Sequence, residues 1–322
     1  MFTTIYGHDQ ATSYLQGLVE SGDLPSAMLF HGERGVGKRA TAVALAKMLN
    51  CREDQTTECT CKSCRKIEGD THLDVLTYQP DGKTFKIDQV RALIEESNRR
   101  RMEGDWRVFI LEDADCLNSK AADALLKTLE DGRPNALFIL LSESKRAIVP
   151  TLVSRTLDFY FGALTEEDVK RTLLSMKFAD NRRLESSVRL SGGSVERALY
   201  FLTGNGFEVR DDALSFLSEY PNIQDFKVIS KINGLEDEAL HEFVQMVYDL
   251  LSDLCLMARD QGAFIRNSDI EEHLEHVARR FGPRSFNAFS KVRALLQRKD
   301  RPVAYDHHVK STMLDLKDEI RQ

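Results

Sequence analysis

Three places in this sequence carry residues whose types and spacing can do chemistry. The first is His31 to Ala42, HGERGVGKRATA, where Gly32, Gly35, Gly37 and Lys38 keep the Gly-x4-Gly-Lys spacing of a phosphate-binding loop. In such a loop the backbone amides and the start of the next helix cradle phosphate oxygens. The lysine reaches the terminal phosphates, and a Ser or Thr after it ligates Mg²⁺. Here Arg39 stands after the lysine, and a guanidinium has no lone pair to give a metal. The sequence permits two uses of Arg39: pairing with a phosphate directly, or folding over the pocket and filling it.

The second place is the acidic pair at the end of VFILEDADCLN. A metal held by a phosphate loop takes its other support from an Asp at the end of a later apolar strand, with a neighbouring carboxylate positioning the attacking water. The pair here is Glu112-Asp113, the reverse of the Asp-Glu order that task requires. Each carboxylate is displaced by roughly one C–C bond, and catalysis is sensitive to misplacement of about 1 Å. Hydrolysis is therefore expected to suffer even where nucleotide binds. The plainer use of Asp115, and of Asp113 beside it, is to cap the next helix.

The third place is the cluster Cys51-x7-Cys59-x-Cys61-x2-Cys64, four of the six cysteines within fourteen residues. Four thiolates suit tetrahedral Zn²⁺, and a site with no open position is structural, pinning a loop to the sheet. Four reduced thiols are the alternative; an iron–sulfur cluster is a lesser one, since nothing around the cysteines suggests electron transfer. Cys116 and Cys255 stand alone.

These residues need elements to hold them. Five short apolar runs read as strands: 27–31 (AMLFH), 74–78 (DVLTY), 107–111 (RVFIL), 136–141 (ALFILL) and 157–161 (LDFYF). Most are continuously apolar, as parallel strands covered on both faces are. Between the third and fourth, Ala122, Leu125, Leu126 and Leu129 fall on one helical stripe. This alternation predicts a doubly wound α/β domain over 1–162. Beyond it the strand signals stop. Thr165 with Asp168 three residues on forms a capping pattern, and Gly192-Gly193 precedes another helix start at Ser194, which predicts two or three short helices over 163–205. Gly204 to Asp212 reads as a boundary loop. From 206 to 322 the pattern is helical, with Leu240, Phe243, Val244, Val247, Leu250, Leu251 and Leu254 spaced for one buried face of a bundle. His307-His308 is read as a solvated helical pair.

The 322 residues are 42% hydrophobic and 30% charged, with a net charge of −7. That balance supports several cores and argues against a whole-surface attraction to nucleic acid. The densest basic cluster, Asn98 to Arg101, reads as a solvated helix end. No apolar run approaches the ~20 residues of a membrane helix, and MFTTIYGHDQ lacks the features of a signal peptide. Cytoplasmic residence is the expectation.

Taken in order, these motifs resemble the clamp-loader branch of the AAA+ ATPases. IYGHDQ stands where that family has a Gly-Gln segment before the phosphate loop. The cysteine module follows the first helix of the loop, then THLDV (71–75), IDQVR (87–91) and DALLKTLED (123–131). PTLVSRT, 150–156, resembles the family's P-x-x-x-S-R-C element, whose arginine reaches a neighbouring subunit's ATP site. The resemblance implies an AAA+ parallel-sheet domain, a small helical lid and an all-α C-terminal collar. It also implies that Arg155 serves in trans, and that Cys51, Cys59, Cys61 and Cys64 form the family's zinc module. The family commonly spaces those cysteines x8, x2, x2.

Hydrolysing gamma/tau-like members carry Ser or Thr after the loop lysine, Asp-Glu on the later strand and an Arg in a lid G-S-x-R. This chain has Arg39, Glu112-Asp113 and GSVE, with Glu196 at the sensing place and Arg197 about 100° of helix away from it. The resemblance therefore implies a non-hydrolysing subunit of a hetero-pentamer. Its partners would be gamma/tau and delta subunits, the sliding clamp and primer-template DNA. Two rivals remain in view: an active clamp-loader ATPase with unusual motifs, and a stand-alone P-loop kinase, which would have no use for the C-terminal helices. Whether ATP, ADP or nothing occupies the loop is open at this point.

Overall fold

The computed structural model describes residues 2–54, 56, 58–82, 84–178, 182–220, 222–259, 261, 264–296 and 305–321. The chain separates into two compact units, the first 1–181 with 191–197 and the second 182–190 with 198–322.

In the first unit, five parallel strands lie in the order β2-β3-β4-β1-β5, with β1 Ala27–His31, β2 Val75–Tyr78, β3 Arg107–Leu111, β4 Ala136–Ser142 and β5 Leu157–Tyr160. Each lies within a residue or so of the run expected from the sequence. Side chains alternate between two cores. Met28, Phe30, Val108, Ile110, Leu137 and Ile139 join one, while Ala27, Leu29, Phe109, Leu111, Phe138 and Leu140 join the other. Burial on both faces is why these strands are apolar without alternation. The helices between them are α1 Asp9–Ser21, α2 Lys38–Asn50, α3 Lys62–Glu68, α4 Ile87–Ser97, α5 Ser119–Asp131 and α6 Pro150–Val153. The stripe on α5 is deeply buried at Ala122, Leu125 and Leu129.

Three short helices fall within 163–205: α7 Glu166–Ser175, α8 Leu184–Leu190 and α9 Val195–Thr203. The Thr165 hydroxyl accepts the Asp168 N–H at 3.1 Å, which caps α7. Of these helices, α7 belongs to the first unit and α8 to the second, and the division falls inside α9.

The rest of the second unit is helical: α10 Gly206–Glu219, α11 Asp225–Asn233, α12 Asp237–Met257, α13 Glu271–Phe281, α14 Ser285–Leu296 and α15 Tyr305–Arg321. The loop expected over Gly204 to Asp212 is a correction. Only Gly204 and Asn205 interrupt the helices, and α10 runs from Gly206 through Asp212. The second glycine serves packing rather than a turn, because a Cβ on Gly206 would lie 2.8 Å from Phe201 Cδ1. The seven apolar residues expected to share a face of α12 are each at most 2% exposed. The Tyr220 hydroxyl, at the end of α10, donates to the Met313 carbonyl of α15 at 2.8 Å. His307 and His308 are exposed on α15. Among the described residues, no helix is long and apolar enough to cross a membrane.

Candidate nucleotide pocket and metal centre

The loop between β1 and α2 has the backbone of a phosphate cradle. Gly32, Gly35 and Gly37 take φ of 151°, 76° and 108°, and α2 begins at Lys38. The sequence gives glycine where this path needs it. At Gly35 a Cβ would also lie 2.2 Å from Ser194 Oγ and 2.6 Å from Glu196 Cβ, so residues 194–196 rest directly on the loop. The Val195 N–H donates to the Gly35 carbonyl at 2.9 Å. Arg34 pairs with Glu196 at 3.0 Å, both side chains more than half exposed. On the other flank, His8 Nε2 meets the Val36 carbonyl at 2.7 Å.

Lys38 turns its ammonium onto the loop itself, donating to the carbonyls of Gly32 at 2.5 Å and Glu33 at 2.6 Å. Burial lowers its pKa, against the opposing pull of the carboxylates of Glu143, Asp115 and Asp113. Arg39 turns instead to two carboxylates. Its Nε donates to Glu112 Oε1 at 2.6 Å and its Nη2 to Asp70 Oδ2 at 2.8 Å. Burial disfavours the cation, but the bonds and charges of Glu112 and Asp70 outweigh it and raise the Arg39 pKa. Arg39 is thus engaged by two carboxylates of its own chain. The remaining Glu112 oxygen accepts from Gln79 at 3.1 Å, and Asp70 Oδ1 accepts from Thr77 at 3.2 Å.

Asp113 sits in the left-handed region (φ 48°) on the surface, its pKa raised by partial desolvation of the carboxylate and by the charge of Asp115. The structure thus brings Arg39 to Glu112, while the Asp113 carboxylate lies in the field of Asp115, Arg34, Glu112 and Lys38. Asp70 is the participant that sequence reasoning missed. It lies two residues beyond α3, thirty-one residues from Arg39, and no motif marks it.

Arg155 follows α6 on the surface. Its Nε donates to Glu130 of α5 at 2.9 Å and its Nη1 meets Ser154 Oγ at 3.3 Å, with both charged side chains about half exposed. In the basic stretch 98–101, Arg99 pairs with Glu96 at 2.7 Å and Arg101 donates to the Asp105 carbonyl.

The cysteines converge. Cys51 ends α2, Cys61 caps α3, Cys64 lies in the first turn of α3 and Cys59 is in the loop between. All four Sγ atoms lie within 4.8 Å of one another, with Cys51 to Cys59 at 3.5 Å and Cys51 to Cys61 at 4.0 Å. A tetrahedral metal with M–S bonds near 2.3 Å sets sulfurs ~3.8 Å apart, so the group can hold a metal ion. Burial pushes the Cys64 thiol far above its ordinary range. Thiolates at this spacing therefore need a cation to carry their charge.

The strand that follows is fixed by its own polar groups. Asp74, fully buried, accepts the N–H groups of Met102, Glu103 and Gly104 at 2.7–2.9 Å and lies 3.4 Å from Arg107 Nε. His72 Nδ1 accepts the Asp74 N–H at 3.1 Å, and Nε2 meets Ser63 Oγ at 3.1 Å. The THLDV residues thereby lock the cysteine module to the sheet.

Residues 7–165 match the family described as "DNA polymerase III, delta subunit". The Bacillus subtilis delta' subunit of DNA polymerase III is 32% identical over 161 residues, 50% of this chain and 49% of that one. The Escherichia coli delta' subunit is 28% identical over 81% of this chain and 79% of its own, and the Escherichia coli tau subunit 27% identical over 96% and 52%. The chain spans about half the length of the Bacillus delta' and the tau relatives. A gamma-subunit-related protein from Thermotoga maritima shares the fold, with a TM-score of 0.51 at 16% identity over 95% of this chain and 98% of its own.

Proposed function

We propose that the chain is a clamp-loader AAA+ family member and, within that family, the non-hydrolysing, delta-prime-type subunit of the bacterial DNA polymerase III clamp loader, a reading supported by its similarity to delta' and tau subunits. It acts in the cytoplasm as the stationary member of a hetero-pentamer with gamma/tau and delta subunits, which opens the sliding clamp and sets it on primer-template DNA. Residues 1–162 are its nucleotide-binding-like domain, 163–205 its lid and 206–322 its collar. Cys51, Cys59, Cys61 and Cys64 hold structural zinc.

The observation that carries the reading is the Arg39–Glu112 ion pair at 2.6 Å. Those two positions belong to the metal ligands in a hydrolysing loop, and here they neutralise each other. The GSVE lid adds to it, since Glu196 pairs with the loop residue Arg34 where a motor presents a cation to phosphate.

Arg155 is the residue assigned to chemistry, and that chemistry is in the neighbouring chain. A guanidinium is always charged and forks onto phosphate oxygens. Its bond to Glu130 is exposed, a kind of pair worth ~1 kcal/mol or less, so exchanging Glu130 for a γ-phosphate costs little. Placed there, it stabilises the transition-state charge by about 10³-fold or more.

Similarity to tau over nearly the whole chain favours a second reading, an active gamma/tau-like ATPase. Steady ATP turnover by the isolated chain would establish that alternative. The proposal expects no such turnover. It also expects Arg155→Ala to assemble normally in the reconstituted pentamer while lowering DNA-stimulated hydrolysis at the adjoining site by about 10³-fold; undiminished hydrolysis removes Arg155 from the role.

A further inference from the structure

Two carboxylates from separate elements converge on one guanidinium beside the phosphate loop. Glu112 comes from the end of β3 and Asp70 from the turn after α3, and Arg39 bonds both at 2.6 and 2.8 Å. The second oxygen of each carboxylate is engaged as well, by a neutral donor, Gln79 on Glu112 and Thr77 on Asp70. The arrangement is a closed polar set with the cation supplied by the chain. Its chemistry can be set against that of a hard divalent ion. Mg²⁺ demands near-octahedral oxygen ligands at about 2.0–2.1 Å, whereas the guanidinium offers donors only. To enter, an ion would have to break two charge-assisted bonds and then share the space with a fixed positive charge.

We infer that Arg39 is a resident counter-ion: its guanidinium takes the position of a divalent cation between β3 and the phosphate loop and excludes Mg²⁺ from it. The inference deepens the non-hydrolysing reading and rests on it, because it names what has replaced the metal. It also has a consequence for ligands. Any polyphosphate that the loop takes is held by backbone amides and Lys38, without a bridging divalent ion, and its affinity does not rise when Mg²⁺ is added.

Mn²⁺ is the probe, titrated by electron paramagnetic resonance into the full-length, zinc-loaded chain. Wild type is expected to show no Mn²⁺ site that Glu112→Gln abolishes. Arg39→Ser is expected to gain one, tighter by about tenfold or more, the equivalent of one charge-assisted hydrogen bond. That site should vanish in the Arg39→Ser/Glu112→Gln double variant. Arg39→Lys, which keeps the charge, should behave as wild type. The Arg39 side chain is about half exposed, so these variants are expected to fold; Arg39→Gln, neutral and closer in length, replaces Arg39→Ser if circular dichroism shows otherwise. A Glu112-dependent Mn²⁺ site in wild type overturns the inference, and so does a folded neutral variant that gains none. ATP turnover by the isolated wild type would instead overturn the functional reading, so the two failures are distinguishable.

Discussion

The phosphate loop and the cysteine module lie at opposite ends of α2 and depart in opposite ways from the clamp-loader pattern they resemble. In the loop the backbone path is kept, with three glycines at positive φ, while the side chains that would handle a metal are exchanged. In the module the four donor side chains are kept, while the spacing shortens to x7 and x from the family's common x8 and x2. The cradle resides in backbone torsions, so it survives exchange of Ser or Thr for Arg39. The capacity to hold a metal resides in sulfur positions, so it survives shorter loops as long as the Sγ atoms meet, and here they do.

If the module's side chains matter for stability and the loop's do not, the largest effect should come from Cys61→Ser or from chelation. A metal present at about 1,000 times its dissociation constant stabilises by ~4 kcal/mol, and at 2–4 °C per kcal/mol its loss should lower the unfolding midpoint of the first unit by about 10 °C. A midpoint unmoved by chelation, with no zinc found in the purified protein, would reduce the cluster to four thiols.

The next effect tests the loop's backbone. Gly35→Ala places a Cβ against Ser194 and Glu196 at φ 76°, and overpacking together with left-handed strain should cost about 2 kcal/mol by urea unfolding. A neutral result would mean that the cradle is no longer constrained, which breaks the comparison.

The smallest effect concerns pH. Burial holds the His72 imidazole neutral and lowers its pKa, and its Nδ1 is committed as an acceptor. The unfolded chain takes up the extra proton, so stability is present above the ordinary histidine value near 6.5 and is lost as pH falls below it. The slope of unfolding free energy between pH 7 and 5.5 should be shallower in His72→Gln; an equal slope assigns the acid sensitivity to the thiolates instead.

Much of this was legible in the sequence. The five strands declare themselves because burial on both faces demands unbroken apolar runs, and α12 does so because Leu240 to Leu254 repeat at helical spacing. The glycines and Lys38 mark the loop, and clustering marks the four cysteines that converge. What was not legible has a common cause. The partner of Arg39 is set by where the turn after α3 meets Thr77 of β2, and Asp70 has no periodicity or motif to announce it. Arg155 to Glu130 is likewise a contact between elements rather than a spacing within one. The turn misplaced at Gly204 to Asp212 failed for the converse reason. Gly206 is there for what is missing from it, a side chain that would strike Phe201, and a sequence does not distinguish that absence from flexibility.

The hydroxyl of Tyr220 offers a final consequence. It is buried, and its acceptor is a carbonyl ninety-three residues later on α15. Trimming the chain ahead of that helix would leave a phenol in an apolar interior with nothing to donate to, a penalty on the order of 1–3 kcal/mol before any lost packing is counted. Truncations and fusions at this end should therefore leave α15 whole, and a fragment ending before it should be handled as a destabilised protein rather than a shorter version of the same one.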